Sequence, residues 1–206
     1  MKKNIIATIG IALIVAGSQA IAVDVKITKE LSSITAKHKG NSVVIKRIQN
    51  PNTKLNSAFL NTSKECPPYC IQPMSISDKV ETLGELEVLK FIKEMKDSSN
   101  LLLIDARTRE WHKKGTIPSA INLPFTMLKK DGKYIDKILA LLGGKKSGGT
   151  WNFDNAQTLL IFSNGAWDEQ ATLAINNLID VGYPEDKLKY YRGGMQMWNS
   201  VGLTVK

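Results

Sequence analysis

The sequence lacks a hydrophobic run long enough to span a membrane, although it begins with an apolar segment. The run from about Ile5 to Gly17 is well short of the roughly 20 residues that a spanning helix needs. Two lysines precede it, and Ala20-Ile21-Ala22 follows it as a small-x-small cleavage site. This pattern predicts a secretory signal peptide over residues 1–22, with an uncleaved membrane anchor as the alternative. We expect a periplasmic or secreted protein with no stable membrane span after cleavage.

The chain also lacks the aromatic residues that are interleaved with basic ones on nucleic-acid-binding surfaces. Its formal net charge is +9, and removal of Lys2 and Lys3 with the signal peptide leaves 9 − 2 = +7. The lysines are spread along the chain in pairs, each typical of a solvated face. We therefore expect no nucleic-acid partner and only a mild preference for anionic partners.

Cysteine is scarce, and the two cysteines, Cys66 and Cys70, lie together in ECPPYC. In an oxidising export compartment so close a pair is expected to form a disulfide. Closing such a short loop stabilises the chain by only about 2 kcal/mol, which leaves room for a redox role. We expect no metal and no cofactor.

Composition and patterning divide the mature chain into two units. Residues 23–77 form the first unit, in which β-branched strands at 34–38 and 42–48 flank Lys39-Gly40-Asn41 and predict a hairpin. An extended segment rich in Asn, Pro and Ser follows and carries both cysteines. Residues 78–206 form the second, larger unit.

The second unit alternates strands and helices. Thr82-Leu83-Gly84-Glu85 resembles a capping box and predicts a helix from there to about Lys96. Further strands are predicted at 101–104, 120–123, 158–162 and 187–191, and further helices at 134–142, 169–181 and after Arg192-Gly193-Gly194. The segment 143–149, GGKKSGG, does not match a phosphate-binding P-loop and is predicted to be a mobile connection. Such alternation predicts a parallel α/β sheet with helices on both faces.

The stretch from 158 to 171, TLLIFSNGAWDEQA, predicts a buried strand, a tight loop and the start of a helix. A loop of this kind directs backbone N–H groups at one spot and is a natural anion site. Asp168 is predicted to be the N-cap of the helix, worth about 1 kcal/mol. Together with Glu169 it would fill the anion site from within, and it would repel an anionic substrate.

Two segments resemble the signatures of the rhodanese family. DARTREWHKKGTIPSAINLPF, at 105–125, resembles the first signature, and YYRGGMQMWNSVGLTV, at 190–205, resembles the closing one. The spacing between them also agrees, so the resemblance covers roughly residues 80–205. It implies a parallel five-stranded sheet, here with a small N-terminal hairpin added. ECPPYCIQP further resembles a subset of exported rhodanese-like proteins that carry an N-terminal extension.

The resemblance also implies a chemistry and a site. Rhodaneses move a sulfane sulfur from thiosulfate or a similar donor to a thiophilic acceptor through a cysteine persulfide. The nucleophile opens the loop after the central strand, where this chain has Ser163. In the exported subset a second cysteine is expected near the end of the loop, where this chain has Asp168. The remaining loop residues are Asn164, Gly165, Ala166 and Trp167.

The chemistry of serine argues against sulfur transfer. A cysteine thiol ionises near pH 8.5 and lower at a helix amino end, whereas a serine hydroxyl needs an adjacent base. Neither histidine is obviously placed for that role, because His38 lies in the predicted hairpin and His112 is predicted to be a surface residue. A Gly-x-Ser-x-Gly elbow is absent, which disfavours a serine hydrolase. The loop also lacks the cysteine and the arginine of related phosphatases.

Other residues of the signatures are interpreted structurally. Asp105 and Arg107, at the end of a strand, could line the floor of the loop, but we predict that they tie loops together through buried hydrogen bonds and an ion pair with Glu110. Trp167 is either packed or an exposed aromatic that anchors a partner. Three core residues are predicted in the last helix: Met195, Met197 and Trp198.

Three functions remain open. The first is a rhodanese-like domain without sulfurtransferase activity that binds or scaffolds an unknown protein partner in the export compartment. The second is a thiol–disulfide or sulfur-handling protein that uses Cys66 and Cys70, with Pro67-Pro68 holding the pair apart, although a structural disulfide is the simpler interpretation. The third is an active sulfurtransferase, which rests on fold alone. We favour the first.

Overall fold

The computed structural model describes residues 24–206 of the chain. The predicted signal peptide, residues 1–22, lies outside the described residues. Within the part that is described, no helix has both the length and the apolar character needed to cross a membrane.

The protein is built around a five-stranded sheet whose neighbouring strands are all parallel. The strands are β1 (Ser33–His38), β2 (Asn41–Lys46), β3 (Glu81–Thr82), β4 (Leu101–Asp105), β5 (Ile121–Asn122), β6 (Lys145–Ser147), β7 (Thr150–Asn152), β8 (Thr158–Phe162) and β9 (Leu188–Tyr191). The order of strands in the five-stranded sheet is β3-β9-β8-β4-β5. The helices are α1 (Glu85–Glu94), α2 (Arg109–Lys113), α3 (Ile135–Leu141), α4 (Gln170–Asp180) and α5 (Gly194–Ser200). This architecture confirms the predicted fold class.

Two hydrophobic clusters cover the sheet. One joins Ile92 of α1 and Trp198 of α5 with Ile45 of the β1–β2 hairpin, and the other joins Leu139 of α3 with Ile175 of α4. The central strands β4 and β8 are almost continuously apolar because both of their faces are buried. The predicted hairpin is confirmed, and it contributes to the same core as the sheet.

The first helix begins later than the sequence predicts. Its N-cap is Gly84, whose N–H donates to the carboxylate of Glu87 at 3.2 Å, so the capping box is centred two residues after Thr82. Thr82 instead lies in β3 and pairs with Tyr190 of β9. Pairing within the sheet therefore takes precedence over the local capping signal.

The glycine-rich segment 143–149 is not a simple connection, contrary to the prediction. Its residues 145–147 form β6, which pairs antiparallel with β7, the strand that follows the segment, and Gly148 and Gly149 join the two strands. Both glycines have positive φ, 54° and 86°, which is the backbone that a two-residue hairpin turn requires. The glycine pair that forms the turn is visible in the sequence, but the two strands are too short and too polar to be predicted as strands.

Candidate functional site

The site lies at the carboxyl end of the central strand β8, where residues 163–168 lead into α4. Ser163 opens this loop and is 2% exposed, and Asn164 beside it is fully buried. The hydroxyl of Ser163 donates to the backbone carbonyl of Asp168 at 3.1 Å. The loop is therefore closed on itself by its first and last residues.

The carboxylate of Asp168 occupies the interior of the loop. Its Oδ2 accepts from the backbone N–H of Asn164 at 2.9 Å, and its Oδ1 accepts from that of Gln170 at 3.2 Å. The side-chain amide of Gln170 donates to both oxygens, at 3.0 and 2.9 Å. These donors are the groups that an external anion would use. Asp168 lies one residue before the N-cap of α4, which is Glu169, so the predicted cap position was one residue early.

The loop rests on the first turn of α5. The N–H of Met195 donates to the carbonyl of Ser163 at 3.0 Å, and that of Gln196 donates to the carbonyl of Asn164 at 2.8 Å. Gly194 has a φ of 53°, and a Cβ at this position would lie 2.8 Å from the backbone nitrogen of Gly165. The loop and α5 thus approach each other as closely as their backbones permit.

A buried ionic cluster supports the loop from β4. Asp105 and Arg107 are 0% and 1% exposed, and they form a bidentate pair through Nε–Oδ1 at 2.8 Å and Nη2–Oδ2 at 2.6 Å. Thr116 Oγ1 donates to Asp105 at 2.8 Å, and Nη1 of Arg107 reaches the side-chain oxygen of Asn164 at 3.2 Å. The pair therefore links the end of β4 to the 163–168 loop.

The protonation of Asp105 is controlled by these neighbours. Burial raises the pKa of its carboxyl, but hydrogen bonds from three neighbouring side chains and the charge of Arg107 outweigh that effect and hold the pKa below its ordinary value. Asp105 is therefore ionised in the folded protein at neutral pH.

Two predictions about this cluster are wrong. Arg107 pairs with Asp105 rather than with Glu110, which is exposed on α2 and forms no ion pair among residues 24–206. His112 is not a surface residue, because its side chain is 17% exposed and its Nδ1 lies 2.9 Å from Oδ2 of Asp105. The short helix α2 turns its ring back toward the end of β4, which a linear pattern of residues does not reveal.

Ser163 has no catalytic base among the described residues. The Ser163 hydroxyl donates to the carbonyl of Asp168, and neither histidine forms a hydrogen bond with it, since Nδ1 of His112 lies beside Asp105 and Nδ1 of His38 accepts from the N–H of Ser119 at 3.2 Å. No group of three or more His, Cys, Asp or Glu side chains in the range 24–206 is placed to hold a metal ion.

The segment that precedes the sheet, residues 24–77 and here called the extension, packs against the loop. The backbone N–H of Gln72 donates to the carbonyl of Ala166 at 2.8 Å, and its side-chain oxygen accepts from Thr172 of α4 at 2.6 Å. Nη2 of Arg192 donates to the carbonyl of Gln72 at 2.9 Å. The sequence left open whether this segment packs on the loop, and these contacts settle the question.

Trp167 is the side chain that the extension covers. The Lys64 ammonium lies 4.3 Å from the centroid of its ring, and Tyr69 packs edge-on at 5.6 Å between ring centroids. Its indole N–H donates to Gln196 of α5 at 2.7 Å. Trp167 is thus partly buried beneath the extension, which agrees with the packed alternative, and its contact with a partner stays a prediction.

The two cysteines of the extension form a disulfide, with their Cα atoms 4.7 Å apart. Pro67-Pro68 therefore does not hold the pair apart. Tyr69 lies inside this five-residue ring, so the disulfide fixes the segment whose aromatic side chain covers Trp167.

The core predicted for the last helix is wrong at one position. Met195 and Trp198 are buried, 2% and 0% exposed, but Met197 is 44% exposed. Positions 195 and 198 are three residues apart and share a helix face, whereas position 197 lies on the opposite side.

Three residues that hold the site together were not predicted from the sequence: Gln72, Thr116 and Gln170. Each is an uncharged polar residue that matches no motif. Only Gln170 carried a signal, because it lies two residues after Asp168 and its amide can reach back to a carboxylate there.

We expect Tyr69→Ala to loosen the cover over Trp167. The substitution removes an aromatic pair worth about 1 kcal/mol without touching the core. Acrylamide should then quench the Trp167 fluorescence more strongly, measured as the difference between each variant and its Trp167→Phe counterpart. Tyr134→Ala, which truncates an exposed tyrosine on another surface, should change nothing. Equal quenching in the two tyrosine variants would show that Tyr69 does not shield the indole.

A parallel α/β sheet with a tight strand–loop–helix site at its carboxyl edge defines a known class of domain. A family model described as the rhodanese-like domain matches residues 89–201, which is more than half of the chain. The protein therefore belongs to the rhodanese-like domain family.

Several solved structures resemble the protein at low sequence identity. A Rhodopseudomonas palustris protein of unknown function, described as a possible tyrosine phosphatase, is 18% identical with a TM-score of 0.44, over 64% of this chain and 88% of that one. The human single-domain sulfurtransferase is 23% identical with a TM-score of 0.39, over 60% and 97%. A thiosulfate sulfurtransferase from Pseudomonas aeruginosa is 16% identical with a TM-score of 0.43, over 62% and 20%. No curated protein matches the sequence.

Proposed function

We propose that this protein is an exported member of the rhodanese-like family that lacks thiosulfate sulfurtransferase activity and serves as a binding or scaffolding module. In this proposal, Ser163 stands at the position of the family's nucleophilic cysteine, and residues 1–22 are the signal peptide of the protein. The extension, with its CPPYC segment, and the domain from residue 78 onward form the mature protein. Its partner is a protein of the periplasm or of the extracellular space.

The observation that carries the proposal is the position of the Asp168 carboxylate. It already accepts the backbone N–H groups of Asn164 and Gln170, so these two donors are not available to thiosulfate. A second negative charge in the loop would be repelled at short range in a buried environment. Ser163 adds to this, since its side chain carries an oxygen in place of the sulfur on which a persulfide forms.

The first experiment is thiosulfate-to-cyanide sulfur transfer by the mature chain, compared with the variant Cys66→Ser/Cys70→Ser. We expect no turnover above the uncatalysed rate from either protein. Turnover by both would restore the sulfurtransferase interpretation. Turnover that disappears in the variant would assign the activity to the cysteine pair.

The cysteine pair is the second candidate, and one observation favours it. Cys66 is exposed, so its sulfur is accessible to an external dithiol, which would reduce the disulfide to two thiols and itself become oxidised. A redox role requires that the bond is reduced while the protein stays folded. Reduction that begins only with unfolding would make the disulfide structural.

We expect Ser163→Cys alone to restore little sulfur transfer, because the Asp168 carboxylate still opposes both the thiolate and the anionic donor. Adding Asp168→Ala should raise the rate at least about tenfold above that single variant, which corresponds to about 1.4 kcal/mol of relieved repulsion. The measurement is initial rate at fixed thiosulfate. The matched control is Ser163→Cys/Asp186→Ala, which removes an exposed carboxylate outside the 163–168 loop. Substantial turnover by the single variant would refute the electrostatic argument.

A further inference from the structure

A second candidate site lies where the extension meets the helices α2 and α5. A cavity of about 270 Å³ opens there, which is slightly below the roughly 300 Å³ at which drug-sized ligand pockets begin. No residue of the 163–168 loop lines it. The lining side chains that matter for recognition are Asn56, Phe59, Arg107, Trp111, Lys114 and Asn199.

The charge around this cavity has one sign. Arg107 and Lys114 line it, and no acidic residue does. The charge of Arg107 is balanced by Asp105 behind it, so the uncompensated charge is that of Lys114. The Lys114 ammonium lies 4.8 Å from the centroid of the Trp111 ring and has no carboxylate partner within the described residues. An anionic group is therefore the natural complement of this wall.

Arg107 has one hydrogen-bond donor that the fold does not use. A guanidinium has five N–H groups, and four of them are taken by Asp105, Asn164 and the carbonyl of Gly115. The remaining N–H is on Nη1. Because Arg107 is 1% exposed and fixed by those bonds, this donor is pre-oriented and desolvated.

The other wall is aromatic and apolar. The rings of Phe59 and Trp111 are stacked, with centroids 6.3 Å apart and planes inclined at 26°. Met195 and Val205 extend this apolar surface. Such a wall favours a ligand with a flat, hydrophobic body.

We propose that this cavity binds a small aromatic carboxylate. The carboxylate pairs with the Lys114 ammonium and accepts from the unused N–H of Arg107, and the ring packs on Phe59 and Trp111. Because Phe59 belongs to the extension and Trp111 to α2, the ligand also bridges the two parts of the chain. The site is separate from the 163–168 loop and independent of the function proposed for it.

The test uses benzoate and benzamide, which have the same shape but differ in charge. Isothermal titration calorimetry of the full chain should show saturable binding of benzoate and at least about tenfold weaker binding of benzamide. Lys114→Met should weaken benzoate binding at least about tenfold, because it removes the charge and keeps much of the side-chain length. Lys113→Met is the matched control. Lys113 is exposed and adjacent in sequence but does not line the cavity, so this substitution should change the affinity less than twofold.

The location of binding is checked by NMR. Benzoate should shift the indole N–H resonance of Trp111 and leave that of Trp167 unchanged. Absence of saturable binding up to millimolar benzoate would overturn the proposal, as would equal affinity for benzamide. Equal losses in the two lysine variants would overturn it as well, because they would indicate general electrostatic attraction to a basic protein.

Discussion

Asp105→Asn is expected to lower the free energy of unfolding by about 3 kcal/mol or more. The substitution keeps the shape of the side chain but leaves the guanidinium of Arg107 buried without its counter-ion, and breaking a buried pair in this way costs about 3–5 kcal/mol. Chemical denaturation at pH 7 measures the effect. The matched control is Asp136→Asn, which breaks the exposed ion pair with Lys146 and should cost less than about 1 kcal/mol.

The same carboxylate gives the stability a defined dependence on pH. The folded-state pKa of Asp105 lies below its ordinary value of 3.8. Its stabilising contribution is therefore complete above that value and is lost as the pH falls through the folded pKa. As the pH falls below about 4, the wild-type protein should lose stability more steeply than Asp105→Asn. Similar losses at neutral pH for Asp105→Asn and Asp136→Asn would show that the buried pair contributes no more than a surface pair.

Gly194→Ala is expected to cost about 2–4 kcal/mol. At a φ of 53° an alanine is strained by about 1 kcal/mol or more. The added Cβ must also displace the 163–168 loop, because it would meet the Ser163 carbonyl oxygen first and would lie 2.8 Å from Gly165 N. The free energy of unfolding and the hydrogen exchange of the loop amides would report the change. The loop amides should exchange faster, because the loop loses its support on α5.

Gly182→Ala separates backbone strain from close approach. Gly182 also has a positive φ, 86°, but the nearest atom to an added Cβ is Phe153 Cε2 at 3.9 Å. It should therefore cost about 1 kcal/mol, the backbone part alone. If both alanine variants lost the same stability, the tight contact between α5 and the loop would have no energetic weight.

The sheet and the strand that leads into the site were predictable because their signal is local. β4 and β8 are short apolar runs bounded by polar residues, and each alternates with a helix along the chain. The rhodanese-like signatures lie in the same region, and the family match at residues 89–201 agrees with them. The predicted boundaries of elements were wrong where pairing within the sheet took precedence over the local signal, as at Thr82.

The surroundings of the loop could not be predicted because they arise from contacts distant in sequence. Nothing in the polar, aperiodic segment around Gln72 and Tyr69 indicates that it binds Ala166 and covers Trp167. His112 was misplaced for a related reason, since its partner Asp105 lies on a strand and not on the same helix. The carboxylate within the loop was anticipated, because Asp168 is only five residues from Ser163.

The Asp168 carboxylate has a consequence for how the protein responds to its solution. A loop that holds a dissociable anion gains stability by mass action, in proportion to the logarithm of the anion concentration. Here the occupant is tethered covalently, so its local concentration is fixed by the chain and is unaffected by the buffer. We therefore expect the loop to keep one geometry whether sulfate or phosphate is abundant or scarce, because its carboxylate contacts are made within the chain.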